Sequence, residues 1–208
     1  MTDSNKEDLR KKSKNNAYAR FFASRRYKKL NSLSLFTLSI SSFSLIFITL
    51  IDKYSCPNLF VENTLDLIQL ISSIIISTLS LAISLSNYSE KALRMLKSGE
   101  DFNEIVRKLE SINNDEEYNR KKDELHEKYN NLIKNSENHQ DFEFYFGKLE
   151  RKREESSSTV VAGKEERNII MWLYSNATPW SLRIISAFYI MFIAIALIMY
   201  ISKNGFLN

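Results

Sequence analysis

The chain has 208 residues, a formal net charge of +4 and a mean hydropathy of −0.29, an average that conceals long uncharged runs separated by very polar stretches. With 4 Gly, 2 Pro and 1 Cys, a turn-rich mixed α/β core, an intramolecular disulfide framework and a multi-thiolate metal site are all excluded. Two histidines, His126 and His139, are too few for an ordinary zinc centre.

Residues 1–29 form a basic arm. Lys6, Arg10, Lys11, Lys12, Lys14, Arg20, Arg25, Arg26, Lys28 and Lys29 stand against Asp3, Glu7 and Asp8. No cleavable signal peptide is expected, because the first apolar run starts only at Leu30. That run, 30–51, carries no charge and would be roughly 33 Å long as a helix, enough for a hydrocarbon core of about 30 Å. The second span covers 65–85, interrupted only by Asp66 and Gln69 near its start. Together these make a transmembrane hairpin over 30–85. The link between them has Lys53 as its one basic residue, so the positive-inside rule puts the arm in the cytosol and the link, with Cys56, outside. Beside a span, the arm reads as a topology determinant and a contact for anionic membrane lipid, not as a surface for direct nucleic-acid binding.

Residues 86–179 return to the cytosol as a helical region in which acidic and basic residues nearly balance. Leu85, Tyr88, Ala92, Met95, Phe102, Val106 and Leu109 follow a 3-4 spacing, with Gly99 at its weak position. This seam predicts a helix that continues past the second span and packs on a partner helix or a neighbouring subunit of a homo-oligomer. Asn113-Asn114-Asp115 reads as a break, with an acidic cap opening a helix whose apolar stripe is Tyr118, Leu125, Tyr129 and Leu132. An aromatic cluster follows, Phe142, Phe144, Tyr145 and Phe146, and then a link at Ser156–Thr159. Lys164–Ser175 is predicted as a short amphipathic lead-in. The third span, 180–201, is the most hydrophobic, with Thr178-Pro179 read as its cap and first-turn proline. Arg183 can snorkel to the headgroups, Trp172 and Trp180 can anchor at the interface, and the tail 202–208 lies outside. The fold class is therefore all-α: an integral membrane protein with a transmembrane hairpin, a cytosolic helical segment and a third transmembrane helix.

No Gly-rich phosphate loop, nucleophile elbow or metal-ligand spacing occurs, so no enzyme, metal or cofactor is expected. His126 and His139 read as a solvated helix position and a structural hydrogen-bonding group. The informative residues lie within the spans. Asp66, Gln69, Ser73, Ser77, Ser80 and Ser84 recur at three- and four-residue steps on one face of the second span. Ser34, Thr37, Ser41 and Ser44 do the same on the first. Such stripes turn toward protein or water. Tight helix packing and the lining of an oligomeric pore both fit them, and one stripe can serve each purpose. Asp66 at the mouth of a pore would favour cations.

Arg25-Arg26 before the first span, the serine-rich hairpin, and Asn87-Tyr88-Ser89-Glu90-Lys91-Ala92 after it resemble the bacterial SLATT domains. Tyr129-Asn130-Asn131-Leu132-Ile133 and Glu137-Asn138-His139-Gln140-Asp141-Phe142 are similar to a segment of SLATT family five, which also carries a third, C-terminal span. The resemblance runs from about Ala17 to Ile201, with Gln140 and Phe142 where Ser and Tyr are expected. It implies a pore-forming effector of anti-phage defence in the inner membrane. It also implies a sensor encoded nearby, such as a nucleotide-producing enzyme or a reverse transcriptase. It supplies no ligand-binding residues. On this reading the cytosolic helices receive the signal and alter packing along the Leu85–Leu109 seam. The rival reading is a non-conducting membrane anchor or adaptor that recruits a soluble partner. A small-molecule transporter fits less well, since the spans hold almost no charge with which to build a substrate site.

Overall fold

The computed structural model describes residues 2–55, 64–136, 140–155 and 169–203. Cys56, His139, the Ser156–Thr159 link, the first part of the 164–175 lead-in, the Trp172 side chain and the end of the tail lie outside the described residues. Among the described residues six α-helices follow one another: α1 (Thr2–Leu50), α2 (Thr64–Ser86), α3 (Tyr88–Ser111), α4 (Asp115–Asn135), α5 (Asp141–Glu155) and α6 (Ile169–Lys203), with a π-helical turn at Ile51–Ser55 after α1. No strand occurs among the described residues. The all-α class is as expected. The chain divides into two units: residues 1–29 with 88–175, and residues 30–87 with 176–208.

The first unit is built around the basic arm. Along residues 2–29 of α1, Leu9, Ser13, Asn16, Ala17, Arg20, Ala23 and Ser24 recur every three or four positions and are all buried. That is one face of a helix. Lys11, Lys12, Arg25, Lys28 and Lys29 occupy the exposed faces. Leu9 joins Ile105, Leu109 and Ile112 around α3 with Tyr118 and Leu125 of α4 in one apolar cluster. The predicted break is real. Asn114 caps α4, its side chain accepting from the Glu117 N–H at 2.8 Å, and three carboxylates follow in the first turn where the helix dipole favours them.

The seam on α3 is filled from within the chain. Ala92, Met95, Phe102, Val106 and Leu109 are buried inside this unit. The Ser24 hydroxyl donates to the Ala92 carbonyl at 2.8 Å, Arg20 lies over the Phe102 ring, and Tyr27 stacks on Tyr88. These five buried positions therefore have packing partners within the subunit. Nor is the seam one uninterrupted helix with the second span: Asn87 at φ 47° separates α2 from α3. Asparagine enters that left-handed region more readily than most residues.

Helix α5 docks on α1 through a clasp. Glu143, fully buried, takes an ion pair from Arg26 at 2.8 Å and also accepts the Gln140 N–H at 2.8 Å. The second contact is the return half of a capping box, with glutamate at the third helical position. Arg26 also lies over Phe142, and Phe22 stacks on Phe146. At Gly147 a Cβ would sit 2.5 Å from the Ala19 nitrogen, so only glycine permits this approach of the two backbones.

The second unit contains residues 30–50 of α1, then α2, and α6 from Asn176 onward. Among the described residues three helices are long and apolar enough to cross a membrane, by length and composition. Helix α6 begins at Ile169, so Pro179 sits inside it and not at its first turn. The proline forfeits one main-chain hydrogen bond, yet the helical run continues on both sides of it.

Candidate functional site

The two serine stripes of the membrane unit look alike in sequence and occupy opposite environments. Ser34, Thr37, Ser41 and Ser44 on α1 are buried, three of them at 0% exposure. Each of the last three returns a hydroxyl hydrogen bond to the carbonyl four residues earlier: Thr37 to Leu33 at 2.8 Å, Ser41 to Thr37 at 2.7 Å and Ser44 to Ile40 at 2.6 Å. These bonds satisfy the hydroxyls without a second helix and leave a small, smooth surface on which another helix can close. That helix is α6, where the Leu182 carbonyl stands 3.3 Å from Thr37 Oγ1. Leu182, Ser186, Tyr189 and Ala196 form its buried line.

On α2 the order is reversed. Among the residues of α2 whose side chains are described, Ser72 alone is buried, and Ile68, Gln69, Ile76, Leu79, Ile83 and Ser86 are half-buried. The packed edge therefore runs through Ser72, Ile76, Leu79 and Ile83. Asp66, Ser73, Ser77, Ser80 and Ser84 are exposed and lie about a quarter-turn of the helix away from that edge. Gln69 is the stripe's link to its neighbour, its Nε2 donating to Thr49 Oγ1 of α1 at 2.9 Å. Ser73 bonds back to the Gln69 carbonyl at 2.7 Å. Ser77, Ser80 and Ser84 have no partner among the described residues. The rest of the exposed surface of α2, including Leu67, Leu70, Ile74 and Leu81, is apolar except for Thr78, whose hydroxyl bonds back to the Ile74 carbonyl at 2.8 Å. In hydrocarbon that surface is at ease, whereas the hydroxyls and the Asp66 carboxylate are not.

Leu85 is exposed in this unit and Tyr88 half-buried in the other. His126 lies half-buried on α4, and no group of residues able to hold a metal ion occurs among the described residues.

Sequence reasoning missed the buried face of the arm. The arm's charge drew attention to topology, while Arg20 and Arg26 work inside the fold. Arg20 is 1% exposed. It donates to Asn16 Oδ1 at 3.3 Å and to the Ser136 hydroxyl, and burial pushes its guanidinium pKa down to about 10. The available signal was the 3-4 recurrence of Ser13, Asn16-Ala17, Arg20 and Ala23-Ser24, mostly small or polar residues.

An all-helical chain with three helices able to cross a bilayer and a polar face in each of the first two belongs to the class of helical membrane proteins. Residues 2–202 match the family described as SMODS and SLOG-associating 2TM effector domain family 5, so the chain belongs to SLATT family five. By that description, SLATT domains are two-transmembrane effector domains. No curated protein and no solved structure matches the chain.

Proposed function

We propose that this chain is a pore-forming effector of a bacterial anti-phage defence system, activated by a partner sensor or a nucleotide signal and permeabilising the inner membrane. Its N-terminus faces the cytosol, and copies assemble so that the Asp66–Ser84 face of α2 borders a water-filled lumen. The observation that carries this reading is the contrast between the stripes. The α1 stripe is closed off within the subunit, and the α2 stripe is left open beside the packed edge, where another subunit or water would satisfy its hydroxyls.

The test is reconstitution of the full chain in dye-loaded liposomes together with the product of the adjacent gene. Leakage that disappears in the Ser77→Leu/Ser80→Leu double variant, with insertion unchanged, is the expected result. Tight vesicles containing properly inserted protein under cell-activating conditions would exclude conduction. The second reading, a non-conducting anchor or adaptor, draws on one observation. Ser73, Thr78 and Ser86 return their hydroxyls to carbonyls of their own helix, so part of this polar surface tolerates lipid unaided.

A further inference from the structure

A buried cation ordinarily has a counter-charge close by, because desolvating an unpaired charge is costly. Arg20 breaks that pattern. It is almost fully buried, its Nε has no partner, and no carboxylate among the described residues lies within ion-pair distance. Its hydroxyl partner, Ser136, is also a wall of a cavity of about 320 Å³ between α3 and the end of α4. Arg94, Lys97, Ser98, Asp101 and Asn135 line that cavity with Met95 and Leu132. Ser98 is nine-tenths buried and its hydroxyl has no partner. Lys97 has no ion pair among the described residues, and Arg94 holds only an exposed pair with Glu90 at 3.1 Å.

We infer that this cavity is an anion site for a small phosphate monoester, whose phosphate would lie among Arg94, Lys97 and Ser98, one hydroxyl (Ser136) removed from the buried Arg20 guanidinium. Two cations, the unpartnered Ser98 hydroxyl and an amide around one space suit a group with three free oxygens better than a planar carboxylate with two. Asp101 on the same wall selects for a ligand that carries a hydrogen-bond donor away from its phosphate. The volume lies at the lower end of small-molecule sites, about 300–1,000 Å³, which limits the ligand to roughly one nucleotide in size. The site belongs to the first unit alone, and its existence does not depend on whether the membrane helices conduct.

The experiment is calorimetric titration of the full chain in detergent micelles with inorganic phosphate, adenosine 5′-monophosphate, adenosine and short-chain phosphatidic acid. Saturable binding of the monophosphate but not of adenosine is expected. Lys97→Glu and Ser98→Ala should each weaken it on the order of ten-fold, the loss of one charge-assisted hydrogen bond. Lys121→Ala, on the exposed side of α4, should leave it unchanged. Tighter binding of phosphatidic acid than of the soluble monophosphate would identify a lipid headgroup as the source of the same chemistry. The assignment is overturned if none of the phosphates binds saturably, or if Lys97→Glu and Ser98→Ala, with melting temperatures like the parent's, bind as the parent does.

Discussion

Helices α1 and α2 both carry polar residues on a three- and four-residue spacing, and they treat them in opposite ways. Over its whole length α1 turns them inward: Ser13, Asn16, Arg20 and Ser24 in one unit, and Ser34, Thr37, Ser41 and Ser44 in the other. On α2 Gln69, Ser72 and Ser86 reach a packed surface, while Asp66, Ser73, Ser77, Ser80 and Ser84 face outward. A serine stripe in an apolar helix therefore does not by itself say what it touches. What decides is whether a second helix of the same subunit is already there. For α1 that helix is α6, whose Leu182 backbone carbonyl approaches Thr37. For α2 no helix among the described residues covers the corresponding surface, and this is where an assembly could add function.

The largest effect that would sharpen this contrast belongs to α1. Arg26→Ala leaves the buried Glu143 without its cation and should cost about 3–5 kcal/mol, the usual penalty for breaking a buried pair. It should appear as a strongly lowered melting temperature of the detergent-solubilised chain. A smaller cost, about 1–3 kcal/mol, is expected for Ser41→Leu, which overfills the closed surface between α1 and α6. Size-exclusion chromatography should show less monodisperse protein. On α2 the matching change, Ser77→Leu with Ser80→Leu, should alter stability by no more than about 0.5 kcal/mol, as for exposed positions, while abolishing leakage. Equal destabilisation by the α1 and α2 changes would erase the distinction between the helices.

Acid should loosen the first part of α1 by a smaller amount. Hydrogen bonds from Arg10 hold the Glu7 carboxyl below its ordinary 4.5, and Lys14 does the same for Glu155. Both carboxylates bind their proton less readily folded than unfolded. Their contribution is therefore present above pH 4.5 and is lost as pH falls through the depressed folded values. The melting temperature should decline over that range, and Lys14→Ala should flatten part of the decline. Because these groups are largely exposed, solvent screening keeps the effect modest.

The apolar spans were legible because uncharged runs of this length have few alternatives, and the break before α4 because Asn113-Asn114-Asp115 interrupts both periodicity and charge. The arm's interior was not legible. A face made of serine, asparagine, alanine and arginine carries no hydrophobic signal, and its burial follows from close backbone approach, as at Gly147 against Ala19. Asn87 escaped notice because a single left-handed residue leaves the 3-4 pattern on either side nearly intact. Pro179 misled for the opposite reason: its residue type suggests a helix start, yet the apolar sequence around it sustains a longer helix. For the stripes, periodicity identified the residues but could not say which face would be covered, since that depends on a helix more than 100 residues away in the chain, as the Thr37–Leu182 contact illustrates.

Accessibility of single cysteines is the most direct measurement. In a Cys56→Ser background, Ser77→Cys and Ser41→Cys are placed one at a time in the activated, membrane-inserted protein and treated with a charged, membrane-impermeant thiol reagent. The account predicts rapid modification at 77, with current or leakage blocked as it proceeds, and protection at 41. Protection at 77 alongside modification at 41 would contradict it.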